Sequence, residues 1–115
     1  MTPDPTTYFS PDYPTARARF RAAAERLGWS LHTAPVGGPD LTIDAAVSPV
    51  TGADRVLVVS GGLHGVEGPL GTAVQLAALD RWDRKPLPPG VRCVFLHALN
   101  PFGYANGRRV DADNI

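Results

Sequence analysis

The sequence predicts an α/β domain, and three segments carry the prediction. Val56-Leu57-Val58-Val59 is a short apolar run of the kind that forms a buried strand. A helical pattern opens at Pro69, and a second strand-like run follows from Val91 to Leu99. Strand, helix and strand at this spacing make a βαβ unit, whose strands lie parallel with a right-handed crossover. The 115 residues suffice for one domain with one core.

The elements follow in order. Residues 1–12 are polar and proline-rich and are expected to form an extended arm. Asp12 and Pro14 are helix-start signals, and Ala16, Phe20, Ala23 and Leu27 then recur at helical spacing before Gly28 stops the helix. Arg17, Arg19, Arg21 and Arg26 fall mostly on other faces and are expected to be solvated. Trp29, Leu31 and Thr33 alternate with polar neighbours, which suggests a strand. After the turn 35–40, Leu41, Ile43, Ala45 and Val47 form the apolar set of a second strand, so the two strands can make a hairpin. Arg55 to Ser60 is apolar on both faces and is expected to be a central strand buried on both. In the following helix Pro69 suits the first turn, and Leu70, Ala73, Val74, Ala77 and Ala78 form the expected apolar stripe. Residues 83–90 break it.

Composition excludes several functions. Eleven basic and eleven acidic residues give a formal charge of zero, which argues against nucleic-acid and anionic-membrane partners. No apolar run approaches the ~20 residues of a membrane helix, and the first residues lack the basic start and apolar stretch of a signal peptide. A cytoplasmic protein is the expectation. Cys93 is the only cysteine, so an internal disulfide and a cysteine-based zinc site are both excluded. Its place within Val91–Leu96 predicts a buried strand thiol.

The segment with most chemistry is Ser60-Gly61-Gly62-Leu63-His64-Gly65-Val66-Glu67-Gly68. It lies where a strand gives way to a helix, the usual place for a site in an α/β protein. Zinc accepts imidazole nitrogen and carboxylate oxygen, and two ligands three apart share one face of a helical turn. His64 and Glu67 are therefore candidate metal ligands. The alternative is that Glu67 only favours the helix N-terminus electrostatically, with His64 an ordinary loop residue. A second segment, His97 to Tyr104, contains an Asn100-Pro101 turn and is followed by Arg108-Arg109. Parallel strands would bring this loop beside His64. There Arg108 and Arg109 could hold a carboxylate or polarise a carbonyl oxygen, or be ordinary surface charge. His97 shares a face with Phe95 and suits a core position better than a third ligand. His32 is far from the pair in sequence.

Together these segments resemble the M14-type zinc carboxypeptidase superfamily, and most closely its DUF2817 branch, over nearly the whole chain. Tyr8-Phe9-Ser10, Tyr13 and Ala16-Arg17 resemble that family's first block, and Leu41-Thr42-Ile43-Asp44 its second. Ser60 to Gly68 with Gly71 and Gln75 resembles its metal block, and Asn100 to Arg109 its Asn-Pro-Gly block. The resemblance implies part of a three-layer α/β/α carboxypeptidase-like fold with a mixed sheet, truncated on its C-terminal side. It implies one zinc ion, with His64 and Glu67 as two of its ligands. It implies Arg109, or Arg108, against the carbonyl of a small peptide or acyl-amino-acid substrate. The family pattern continues beyond Ile115 with a carboxylate-binding Asn-Arg stretch, a third histidine ligand and a catalytic glutamate. The chain is thus expected to be the N-terminal portion, 1–115, of a larger hydrolase domain, truncated on its C-terminal side and inactive alone. Such a piece would leave sheet edges and apolar faces open, which would admit a homo-oligomer. The resemblance also extends to aspartoacylase-type deacylases, and a catalytically inactive remnant is the other expectation.

Overall fold

The computed structural model describes residues 3–115. Helix α1 (Tyr13–Arg26) starts where the Asp12 carboxylate accepts the Thr15 amide at 2.8 Å, with Pro14 in the first turn. Its buried stripe is Tyr13, Ala16, Phe20, Ala23 and Ala24. Strands β1 (Ser30–Pro35) and β2 (Thr42–Val47) form the expected antiparallel hairpin, Ser30 opposite Val47. Strand β3 (Arg55–Ser60), helix α2 (Gly68–Arg84) and strand β4 (Val91–His97) form the expected βαβ unit, with β3 and β4 parallel and Arg55 opposite Val91. Because β2 runs antiparallel to β4, the four-stranded sheet is mixed, in the order β1-β2-β4-β3. A short helix α3 (Pro101–Asn106) follows β4, where the sequence suggested only a turn.

Both long helices cover the same face of the sheet. Phe20 and Ala24 from α1, and Leu76 and Leu79 from α2, meet Ala46, Cys93 and Phe95 from the strands in one cluster. Among the described residues the arrangement therefore has two layers, helices on one face of a mixed sheet. No helix among them is long and apolar enough to cross a membrane.

Five expectations are corrected. Positions 1 and 2 of the predicted arm lie outside the described residues, and the rest is not simply extended. Pro5–Tyr8 forms a turn of 3-10 helix, Tyr8 donates its hydroxyl to Asp80 at 2.6 Å, and Arg19 donates to the Thr7 and Phe9 carbonyls. Strand β3 is an edge strand, not a central one, and Val56 and Val58 are 61% and 57% exposed. The α2 stripe is rotated: Thr72, Ala73, Gln75, Leu76 and Leu79 are buried, while Leu70 and Val74 are exposed.

The fourth correction concerns β2. Its covered face is Thr42, Asp44 and Ala46, whereas Ile43, Ala45 and Val47 line the open face. The reason is Asp44, which is completely buried. It takes Arg17 Nε at 2.8 Å, Arg21 Nη1 at 3.0 Å, the Thr33 hydroxyl at 2.7 Å and the Thr42 hydroxyl at 3.1 Å. Burial alone would raise the Asp44 carboxyl, but the hydrogen bonds from Thr33 and Arg17 outweigh it and hold the group below the usual carboxylate range. Arg17 and Arg21 are thus not simply a solvated face; they tie α1 to the hairpin.

Removing one partner of a buried ionic cluster strands the others, so Asp44→Ala should cost roughly 3 kcal/mol. Urea denaturation would measure it. A loss within the 0–1 kcal/mol of an exposed ion pair would show that the cluster contributes little.

Candidate metal site

Beyond β3 and β4 the chain continues the sheet's pairing into the loops. The Gly61 amide donates to the Leu96 carbonyl at 3.1 Å, the Leu99 amide to Gly61 at 3.0 Å, and the Asn100 amide to Gly62 at 2.8 Å. The turn Gly65–Glu67 is then a single 3-10 turn leading into α2. It lies hard against α3 and the segment behind it. A Cβ at Gly65 would fall 2.0 Å from the Gly103 carbonyl carbon and 2.4 Å from the Arg108 oxygen, so only glycine fits there. The Gly65 amide donates to the Arg109 carbonyl at 3.3 Å.

On this turn His64 Nδ1 and Glu67 Oε1 stand 3.1 Å apart, His64 half-buried and Glu67 exposed. Glu67 sits at the cap position of α2, yet its carboxylate accepts no helix amide, so its contact is with His64. Two donor atoms each 2.0–2.2 Å from one tetrahedral zinc ion stand about 3.4 Å apart. A small opening of the pair would therefore fit an ion in place of the shared proton. Among the described residues no group of three or more His, Cys, Asp or Glu is placed to hold a metal. The residues present thus fit two ligands of a site and no more.

The loop after β4 does reach this turn. The Asn100 carboxamide oxygen accepts the Gly103 amide at 2.9 Å, capping α3, and its Nδ2 donates to the Arg109 carbonyl at 3.3 Å. A cleft of about 930 Å³ opens here, with His64, Asn100 and Arg109 beside the apolar Leu63, Leu99 and Phe102. Arg109 thus shares the cleft with His64. The Arg108 guanidinium instead lies 5.5 Å over the Phe102 ring.

His97 is a buried core residue on the helix-covered face, and His32 is exposed on β1. Nε2 of His97 hydrogen-bonds Thr72 Oγ1 at 2.8 Å, and Thr72 Oγ1 in turn bonds the Tyr104 hydroxyl at 3.0 Å. Nδ1 of His97 has no protein partner. Burial lowers the His97 pKa to about 4, chiefly by disfavouring the charged ring. Cys93 is buried, which pushes its thiol up. Gln75 donates to the Val59 and Leu96 carbonyls at 3.3 and 3.0 Å, bracing the two strands just before the site. Thr72 carried no functional reading in the sequence, and Gln75 and Tyr104 entered only as members of the resembling blocks, with no role of their own. The available signal was two polar residues, three apart, within an otherwise apolar stretch of α2.

Residues 9–115 match the family model described as "Protein of unknown function (DUF2817)". No curated protein matches the chain.

Two outcomes follow from this geometry. Gly65→Ala should displace the 64–67 turn from α3 and destabilise the fold by more than the ~1 kcal/mol typical of a substitution; a thermal unfolding shift within error of wild type would contradict the contact. Second, His97 binds its proton in the unfolded chain from pH 6.5 downward but in the folded chain only near pH 4. The His97 contribution to stability is therefore constant above pH 6.5 and falls by about 3 kcal/mol as pH drops from 6.5 to 4. Denaturation curves across that window should show the slope in wild type and a flatter one in His97→Gln.

Proposed function

The chain belongs to the DUF2817 family, and we propose that it carries half of the metal site of a zinc-dependent hydrolase of carboxypeptidase-like fold that cleaves amide bonds. One observation carries the reading: His64 Nδ1 and Glu67 Oε1 converge to 3.1 Å beside a cleft that Arg109 also lines. His64 and Glu67 would hold the ion. Zinc, when bound, lowers the pKa of a coordinated water and polarises a carbonyl. Arg109, which lines the cleft with His64, would meet a developing negative charge on a carbonyl oxygen, whereas Arg108 lies over Phe102. Small peptides and acyl-amino acids both present such a carbonyl next to a carboxylate, and an arginine serves either. The resemblance of the 60–68 and 100–109 segments to zinc carboxypeptidases supports the same reading.

Zinc content and affinity of the purified chain test it. Wild type should bind zinc, weakly for a two-ligand set, and His64→Ala and Glu67→Ala should each weaken binding by an order of magnitude or more, in line with the loss of one ligand. Equal metal content in wild type and His64→Ala would sink the assignment. With only two ligands available, the 115-residue chain should show little or no amide hydrolysis. Robust, chelator-sensitive turnover would mean that further residues complete the site. Zinc binding without any turnover, even in a longer chain, would favour the inactive remnant.

A further inference from the structure

The proposed ligand turn rests on a buried polar chain. Tyr104, Thr72 and His97 are 7%, 1% and 1% exposed. They come from three elements, α3, α2 and the end of β4, and their polar atoms join in one line from Tyr104 Oη through Thr72 Oγ1 to His97 Nε2. The Tyr104 ring lies directly against the start of α2: a Cβ on Gly68 would fall 2.2 Å from its Cδ2. Gly68 is the residue after Glu67 and four after His64. The ring also meets Tyr13 edge-on, with centroids 5.3 Å apart, and Tyr13 is itself fixed by its hydroxyl, which donates to the Thr42 carbonyl at 3.0 Å. The ring is thus in contact with both the start of α2 and α1.

Packing alone would not explain the hydroxyls. A phenol, a threonine and an imidazole in a dry core each cost desolvation, recovered only through one another. A chain of hydrogen bonds fixes distances more narrowly than apolar contact, because its geometry tolerates only a few tenths of an ångström. What lies at its outer end is the turn that presents His64 and Glu67.

We propose that Tyr104, anchored through Thr72 to His97, is a positioning residue for the His64–Glu67 pair, setting the depth at which α3 holds the turn and hence the separation of the two ligand atoms. The proposal rests on the metal-site reading, and its test separates the two. Tyr104→Phe keeps the ring and deletes the hydroxyl. Thr72→Val deletes both hydrogen bonds at similar volume, and Thr72→Ser restores a hydroxyl.

Two measurements are made on each full-length variant: zinc affinity by calorimetric titration, and the metal-free ring signals of His64 in a long-range ¹H–¹⁵N spectrum. Tyr104→Phe and Thr72→Val should weaken zinc binding by about tenfold, the low end of what is lost when residues supporting a ligand are removed. They should also shift the His64 ring signals, while Thr72→Ser stays near wild type in both. Unchanged His64 signals and zinc affinity within twofold of wild type in Tyr104→Phe would overturn the proposal. If wild type binds no zinc, the metal reading fails, and the His64 signals alone still decide whether Tyr104 positions the turn. If Thr72→Val fails to fold, Tyr104→Phe and Thr72→Ser carry the decision.

Discussion

Hydrogen bonds between Gly61, Gly62 and the segment Leu96–Asn100 carry the pairing of β3 and β4 past the ends of both strands. The arrangement of the site depends on this extension. It brings two loops that are about 35 residues apart in the chain to backbone contact, and it leaves no room for side chains between them. The missing Cβ of Gly65 is what lets the turn seat on Gly103 and receive the Arg109 carbonyl. A βαβ unit places strand ends side by side by topology alone. Here the loops add their own bonds, so the His64 turn and the Arg109 segment are joined through their backbones instead of being merely neighbouring loops.

Two buried titratable groups hold the helix side of the sheet, and they do so in opposite ways. Asp44 stays charged because two guanidinium groups and two hydroxyls replace its lost water. His97 stays neutral because burial disfavours its charged ring by more than nearby Asp44 favours it; the ring stacks on Phe20, with centroids 4.9 Å apart, and bonds the Thr72 hydroxyl. Both sit on the covered face, Asp44 opposite His97 in the β2–β4 register. The polar residues of this small core thus form its cross-links, while Phe20, Leu79 and Phe95 supply its apolar bulk.

This division explains which parts of the fold were legible in the sequence. The Asp12 cap, the Ala16–Phe20–Ala23 stripe, the hairpin and the parallel βαβ unit all follow from local periodicity and stop signals, and all are present. Hydropathy failed at β2 and α2, and for one reason. It assigns Asp44, Thr72 and Gln75 to solvent, because a polar side chain is costly to bury alone. Arg17 for Asp44, His97 for Thr72 and Val59 for Gln75 lie 16 to 27 residues away, and no local window contains them. The His64–Glu67 pair was visible because both members fall within one turn. The support beneath it was not, because Tyr104 meets Thr72 only after α3 has folded back across α2.

The free edge of β3 bears on how the protein behaves at high concentration. Arg55-Val56-Leu57-Val58-Val59-Ser60 carries one charge, at its first residue, and no proline or bulge interrupts it. Its outer backbone groups have no strand beside them in the described sheet. Nothing on this edge discourages another extended segment from adding to it. With a formal net charge of zero at pH 7, molecules also lack the mutual repulsion that would keep such edges apart. Colloidal stability should therefore be lowest near neutrality, and a charge introduced at Val56 or Val58, whose side chains already face water, is the simplest way to raise it.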